Sequence, residues 1–341
     1  MPTPITVGLV GCGNWCKTYH LPILTETLAD RYKLVGVCDA VHALAKEAAQ
    51  LTGAPAFATV DELIAKADPE LVYVVTKPPE THHVVAKAAL EAGKHVFMEK
   101  PMCATAAQCD ELIALARQHE RVLAVHHNRR WEVPFLVAQR VIADGLVGQP
   151  YYIMSNHPTI WCREADLLMD WGIHVADQAL RIAAPAKPVE LSCLVYNPAE
   201  PETRSGPWRA WLRYDNGMVV DLFQVLTAPG AIPKWMAIGD RGSCTISPPF
   251  DVRNQTETLE VELPTGVQCG REGEDKPPFT LTLQLTHYHE LLHRAIAEGG
   301  PLPVAPETAR NAVALSNLLI DAARAQRALP VDASAWIDEP E

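Results

Sequence analysis

The residue types best suited to chemistry in this chain are a carboxylate and an imidazole in Asp170-Trp171-Gly172-Ile173-His174. On a helix that spacing sets the two groups on successive turns of one face. An acid–base pair of this kind is what oxidation of a hydroxyl needs: the oxygen gives up its proton while hydride leaves the carbon, and imidazole is the side chain whose pKa lies nearest neutrality. The pair is therefore a candidate for acid–base work on a hydroxyl, although a lone His174 would read as a satisfied core histidine. The same spacing also occurs in ordinary surface ion pairs, so its weight comes from what accompanies it. Glu99-Lys100-Pro101 follows an apolar run, and a cationic Lys100 beside the same oxygen would stabilise developing alkoxide charge.

The second companion is Gly8-Leu9-Val10-Gly11-Cys12-Gly13-Asn14-Trp15-Cys16, which closes the first apolar run. Gly11 and Gly13 stand where a turn is tight and where backbone approaches a pyrophosphate at a helix N-terminus, with Asn14 and Trp15 beside them as further cofactor contacts. Cys16 takes the place of the third glycine of the G-x-G-x-x-G pattern, which implies a helix slightly farther from the sheet. Asp39 ends the second run and can accept hydrogen bonds from adenosine ribose hydroxyls. It follows the glycines at an interval longer than the usual roughly 20 residues, so the segment from Tyr19 to Arg31 is expected to hold an extra turn or a longer helix. Ala40, Val41 and His42 follow it with no Arg or Lys to receive a 2′-phosphate, so NAD is expected in preference to NADP. The plainer reading of Asp39 is a cap for the helix after it.

These groups need elements to hold them. Short Val-, Leu- and Ile-rich runs at 5–10, 33–38, 56–58, 71–76, 95–98 and 121–126 read as buried strands. Alanine-rich amphipathic helices are expected between them at 41–51, 60–67, 81–92 and 106–118, the last opened by a capping box of Thr105 and Gln108. Such alternation specifies an α/β fold with a doubly wound parallel sheet.

From residue 70 onward the likeness becomes specific. Thr76-Lys77-Pro78-Pro79-Glu80-Thr81-His82, the run from Gly93 to Pro101, Asn128-Arg129-Arg130, Asp170 to His174, and the stretches Gly299 to Val304 and Pro306 to Arg310 together resemble the Gfo/Idh/MocA family, typified by glucose-fructose oxidoreductase and inositol dehydrogenase. The resemblance implies a Rossmann domain over residues 1–128. It also implies a substrate-binding and oligomerisation α/β domain with an open, mostly antiparallel sheet over 129–341. Nicotinamide-dependent redox chemistry on sugars, cyclitols or related polyols is the implied activity. By position, Lys100, Asp170 and His174 match the catalytic set, and Thr76, Pro78, His82 and Glu99 match the cofactor-lining segments. Lys77 departs from the threonine usual in that turn; it either reaches phosphate or substrate or is solvated. The resemblance also suggests a cis bond before Pro101.

The second half changes to longer strands at 151–156, 189–196, 208–214, 218–226 and 234–238, with Asp215-Asn216-Gly217 as a hairpin turn. A sheet face carrying Trp208, Trp211 or Trp235 would demand cover, so a homodimer or homotetramer is expected. Substrate candidates are Lys77, Asn128, Asn156, Trp161, Arg163 and Trp171, the tryptophans because flat rings suit the apolar faces of sugars. His157, Glu164 and Asp166 are further pocket candidates, or parts of a polar loop.

At 341 residues the chain has room for two cores. Its formal charge of −12, without a basic block, argues against nucleic acid or anionic membrane as a partner. No apolar run approaches a membrane span, and the start shows no basic-then-apolar leader, so a cytoplasmic location is expected. The nine cysteines include no Cys-x-x-Cys and read as reduced. Three other functions fit parts of the sequence. His289-Glu290-Leu291-Leu292-His293 is a literal H-E-x-x-H, the zinc-peptidase pattern, with only Glu298 and Glu307 left as third ligands; no metal is expected. An NAD-assisted eliminase or glycosidase would use the same residues as a dehydrogenase. A non-catalytic NAD sensor could share the fold, although retention of Lys100, Asp170 and His174 speaks against it.

Overall fold

The structure, a computed structural model, describes residues 3–77, 79–157, 168–196, 206–224, 232–246, 258–263, 267–270, 279–284 and 288–338. Pro78, Trp161, Arg163, Glu164 and Asp166 lie outside the described residues. Two compact units emerge, one from Met1–His127 with Tyr288–Arg310, the other from Asn128–His287 with Asn311–Asp338. A single cut at 128 would leave 288–310 with the second domain. The structure returns that segment to the first unit, where Tyr288 donates to the Val125 carbonyl at 2.9 Å and the Tyr32 hydroxyl donates to the His289 carbonyl at 2.6 Å.

In the first unit, β1 (Ile5–Val10), β2 (Tyr32–Cys38), β3 (Ala56–Phe57), β4 (Leu71–Val74), β5 (His95–Met98) and β6 (Leu123–Val125) form a six-stranded sheet in the order β3-β2-β1-β4-β5-β6. Every described pair is parallel. Strands covered by helices on both faces are apolar along their whole length, and β4 and β6 are buried at every position. The helices α1 (His42–Thr52), α2 (Val60–Ala67), α3 (Glu80–Glu91) and α4 (Ala106–Gln118) supply that cover. The capping box at α4 is present, Thr105 accepting from the Gln108 amide and Gln108 reaching back. Between β1 and β2 the chain winds Cys16–His20 and Ile23–Thr27 as wide i→i+5 turns. That widened path is where the long interval to Asp39 goes.

The second unit holds α5 (Val133–Ala143), β7 (Pro150–Asn156), α6 (Gly172–Ala183), β8 (Pro188–Val195), β9 (Trp208–Tyr214), β10 (Val219–Gln224), β11 (Trp235–Gly239), β12 (Gly242–Ile246), β13 (Thr258–Leu263), β14 (Val267–Gly270), β15 (Phe279–Gln284) and β16 (Leu329–Pro330). Its eight-stranded sheet runs β14-β12-β11-β7-β10-β9-β8-β16; only the β7 and β10 pair is parallel. β13 and β15 pair separately. Asp215-Asn216-Gly217 makes the expected hairpin, with Gly217 at φ +84 and the Met218 amide held by the Asn216 side chain. Along β9 the alternation is strict: Trp208, Ala210, Leu212 and Tyr214 point inward and Trp211 outward. Trp208 and Trp235 are thus core residues, 2% and 1% exposed, and of the three tryptophans only Trp211 lies on the outer face. α7 (Tyr288–Glu298), in the first unit, and α8 (Pro306–Ala325) come before β16 in the chain. No helix among the described residues is long and apolar enough to cross a membrane.

Candidate active site

In the first unit the candidate residues stand on the ends of parallel strands. Gly11 leaves β1 at φ +100, and a Cβ there would stand 2.5 Å from the backbone of Val75, so glycine is required both by conformation and by the close approach of the β4 end. At Gly13 a Cβ would meet nothing within 4 Å, so this part of the turn offers bare backbone outward. Asp39 fastens the turn to the end of β2: one carboxylate oxygen accepts the Cys12 amide at 2.6 Å and the other the Val41 amide at 2.7 Å. Each oxygen keeps a lone pair for a ribose hydroxyl. Capping and cofactor binding are therefore compatible roles for Asp39. A glycine turn that a side chain would obstruct, beside a fixed carboxylate at the next strand end, fits a dinucleotide.

Thr76 follows β4 and accepts from the Thr81 hydroxyl at 2.6 Å. His82, 2% exposed, has its two ring nitrogens 2.8 Å from the carbonyl oxygens of Thr76 and Pro101. Burial pulls its pKa down although both carbonyls favour the protonated ring. Its part is to hold two loops together from inside the unit. The Lys100-Pro101 bond is cis, and Lys77 is exposed.

Glu99 is turned inward as well, and its surroundings were not legible in the sequence. Its Oε1 accepts from the Trp15 indole at 2.9 Å and lies 2.8 Å from both His20 Nε2 and His126 Nδ1; its Oε2 accepts the Lys100 amide at 3.2 Å. Burial alone would raise the Glu99 pKa, yet His126 and His20 hold the carboxyl well below the usual range. Burial lowers the His20 pKa, outweighing its bond to Glu99. Trp15 itself is exposed, stacked at a tilt 4.0 Å from Tyr19. Of the H-E-x-x-H residues, His289 packs behind this carboxylate against His20 and His126, its Nδ1 2.9 Å from Tyr73 Oη, while Glu290 pairs with Arg31 and His293 lies edge-on to Tyr32.

A separate group of candidate residues lies in the second unit. His174, 5% exposed, is in the first turn of α6, its amide bonded to the Trp171 carbonyl. Asp170 is not on the helix. It sits in the turn before Gly172, so the pair flanks a helix start instead of sharing one face. The Asn128–Trp131 turn is pinned to α6 by Arg130, whose Nε donates to Asp177 at 2.9 Å, and by Gln178, which donates to the Arg129 carbonyl at 2.7 Å. Arg129 lies 4.9 Å over the Trp171 ring. It also pairs with Glu132, which Lys234 contacts at 2.9 Å. Burial opposes the charge on Glu132, but Arg129 and Lys234 bring its pKa to about 2. His157 is buried beside this trio and its pKa is well below the usual value, first through burial and then through Lys234 and Arg129.

Asn156 and His157, at the end of β7, thus have companions that sequence reasoning passed over. Strand pairing brings Phe223 opposite Asn156 and Trp235 opposite Ser155, so Gln224, Lys234 and Trp235 gather at the same end of the sheet. Among the described residues Asn156 Oδ1, both His157 ring nitrogens, Gln224 Nε2 and Trp235 Nε1 are buried without a hydrogen-bond partner. Asn128 is half-buried in the turn that carries Arg129.

Residues 5–127 match the family model GFO_IDH_MocA, the oxidoreductase family with an NAD-binding Rossmann fold. The chain is 28% identical to the uncharacterized oxidoreductase YdgJ of Escherichia coli strain K12, over 95% of this chain and 98% of that one. It is 25% identical, over 96% of each, to the scyllo-inositol 2-dehydrogenase (NADP(+)) IolW of Bacillus subtilis strain 168. In fold it is similar to the UDP-N-acetylglucosamine 3-dehydrogenase GnnA of Acidithiobacillus ferrooxidans, with a TM-score of 0.72 at 24% identity over 94% of this chain and 98% of that one.

Proposed function

Because the chain belongs to the Gfo/Idh/MocA family of NAD(P)-binding oxidoreductases, we propose that it moves a hydride between nicotinamide and a secondary alcohol of a sugar, cyclitol or related polyol. His174 takes the hydroxyl proton in the oxidative direction and returns it in reduction. Lys100 stabilises the oxygen as its charge develops, and Asp170 orients the imidazole or holds a neighbouring hydroxyl. The nicotinamide, when bound, supplies the hydride acceptor. NAD is preferred to NADP on the strength of Asp39, whose carboxylate would repel a 2′-phosphate. That preference would separate the chain from IolW, whose name carries NADP(+).

The observation that carries the polyol reading is the set of buried polar atoms at Asn156, His157, Gln224 and Trp235, unpartnered among the described residues, in the unit that bears His174. Buried polar groups nearly always find partners, and a ring bearing hydroxyls offers both donors and acceptors. A second copy of the chain covers the outer sheet face, where Leu194, Tyr196 and Trp211 are 64%, 69% and 40% exposed. Trp211→Glu is then expected to reduce the assembly to monomers in analytical ultracentrifugation; an unchanged mass would remove this face from the interface.

Incubation with NAD and a panel of inositols, sugars and sugar nucleotides, followed by absorbance of the reduced cofactor, tests the proposal. Reduced nicotinamide is expected in equal amount to a new carbonyl. Bond cleavage without net reduction would replace the dehydrogenase by a redox-assisted eliminase or glycosidase, and binding without turnover across the panel would make the protein a sensor. Michaelis constants for the two cofactors test the preference, and a lower value for NADP would reverse it.

A further inference from the structure

The Glu99 carboxylate carries more contacts than a loop residue needs. An ionised carboxylate only accepts hydrogen bonds, so His20 Nε2 and His126 Nδ1 each bring a proton to Oε1, where the Trp15 indole N–H also ends. Three N–H groups thus converge on one oxygen while the other takes the Lys100 amide. The partners come from three places in the first unit: Trp15 and His20 from the segment after the glycine turn, His126 from the end of β6, and Lys100 from the loop after β5. His20 and His126 are buried behind the carboxylate, in a packed group with Phe97, Tyr73 and His289. Trp15 and Lys100 reach outward from it, 42% exposed and half-buried.

We propose that Glu99 is a positioning residue whose carboxylate fastens the indole of the glycine turn to the backbone of Lys100, so that dinucleotide binding and the placement of the catalytic lysine depend on one buried anion. The inference rests on the oxidoreductase reading above. His20 and His126 serve as the fixed backing: their N–H groups stabilise the anion and leave it no freedom to turn away. Two imidazoles and a carboxylate are also a donor set for a transition-metal ion. Ligation, however, would strip the protons that now hold Glu99 and would displace the Trp15 indole from Oε1. Metal-bound histidines also engage their second nitrogen, and His20 Nδ1 has no partner among the described residues.

A double-mutant cycle between Trp15→Phe and Glu99→Gln, read as the dissociation constant of NADH or NADPH by nucleotide fluorescence, tests the linkage without any knowledge of the substrate. Coupled residues in one network give non-additive effects. Trp15→Phe is expected to weaken binding about fivefold and Glu99→Gln about tenfold, with the double variant no worse than about tenfold, because the shared bond can be lost only once. A double variant near fiftyfold, the product of independent effects, would overturn the linkage. With a polyol that is turned over, Glu99→Gln is further expected to lower kcat at saturating dinucleotide more than Trp15→Phe does, since only Glu99 holds the Lys100 amide. Equal loss in the two variants would contradict that part. His126→Phe keeps a ring in the packed group while removing the imidazole N–H that reaches Glu99; if Glu99→Gln does not fold, it should show the same less-than-additive pattern with Trp15→Phe. A transition metal present at one equivalent in the purified protein would overturn the proposal in favour of ligation. Failure to bind either nucleotide would remove the oxidoreductase reading and this inference together, whereas binding with an additive cycle would remove this inference alone.

Discussion

Glu99 in the first unit and Glu132 in the second are both buried carboxylates held ionised, but by different partners. Glu99 is surrounded by N–H donors from two imidazoles, an indole and an amide. Glu132 is held by formal charges, Arg129 and Lys234, which bring its pKa to about 2. The difference teaches what each arrangement tolerates. A carboxylate ringed by N–H donors can be replaced by an isosteric amide with the loss of one or two bonds. One fixed between cations leaves uncompensated positive charge when it is removed, and buried charge is far costlier than a missing bond.

The largest expected effect therefore belongs to the second unit. Glu132→Ala should lower unfolding stability by about 3 to 5 kcal/mol, against about 1 to 3 kcal/mol for Glu99→Gln, in urea titrations at neutral pH. Equal losses would erase the distinction. Acid sharpens it next. The folded pKa of Glu132 lies below its unfolded value, so its stabilisation is complete above the unfolded pKa near 4.5 and is lost as pH falls toward about 2. His157 and His20 also have folded pKa values below the unfolded one, so each contributes a loss of stability that begins as pH drops below about 6.5. While an imidazole stays neutral in the folded state, that loss is about 1.4 kcal/mol per pH unit. Denaturant midpoints between pH 7.5 and 5 should fall accordingly, and His157→Gln should flatten the slope; an unchanged slope would mean that His157 is protonated in the folded protein. The smallest effect supplies a yardstick within the first unit. Thr105→Ala removes an exposed capping box and should cost about 1 kcal/mol, less than either buried carboxylate.

The two units were also unequally legible. β1, β5, α2 and α4 begin and end where apolar runs, caps and glycines place them, because in a parallel sheet each strand announces itself as an unbroken apolar segment. The glycine turn and Asp39 were equally plain, since their roles are set by local backbone geometry. The Glu99 cluster was hidden: its donors come from residues 15, 20 and 126, and only β1-β4-β5-β6 adjacency brings them together. In the second unit, period-two alternation on β9 decided which tryptophan faces outward, but the facing of Trp235 depended on pairing with β7. Asp170 was expected on a helix because an i,i+4 pair suits one. Gly172 instead starts the helix after it, and no spacing rule distinguishes the two. Glu132 and Lys234 escaped notice, and Arg129 stood out only as part of a motif, because a charge in sequence usually means solvent, and only the fold shows them buried together or partly so.

The proposed hydride transfer depends most on His174 as the group that takes the substrate proton. Single-turnover formation of reduced nicotinamide, compared between the wild type and His174→Ala with a polyol that the panel identifies, measures this directly. The expected result is a loss of about 10²- to 10⁴-fold in the hydride-transfer rate with dinucleotide affinity retained. Transfer at the wild-type rate in His174→Ala would contradict it.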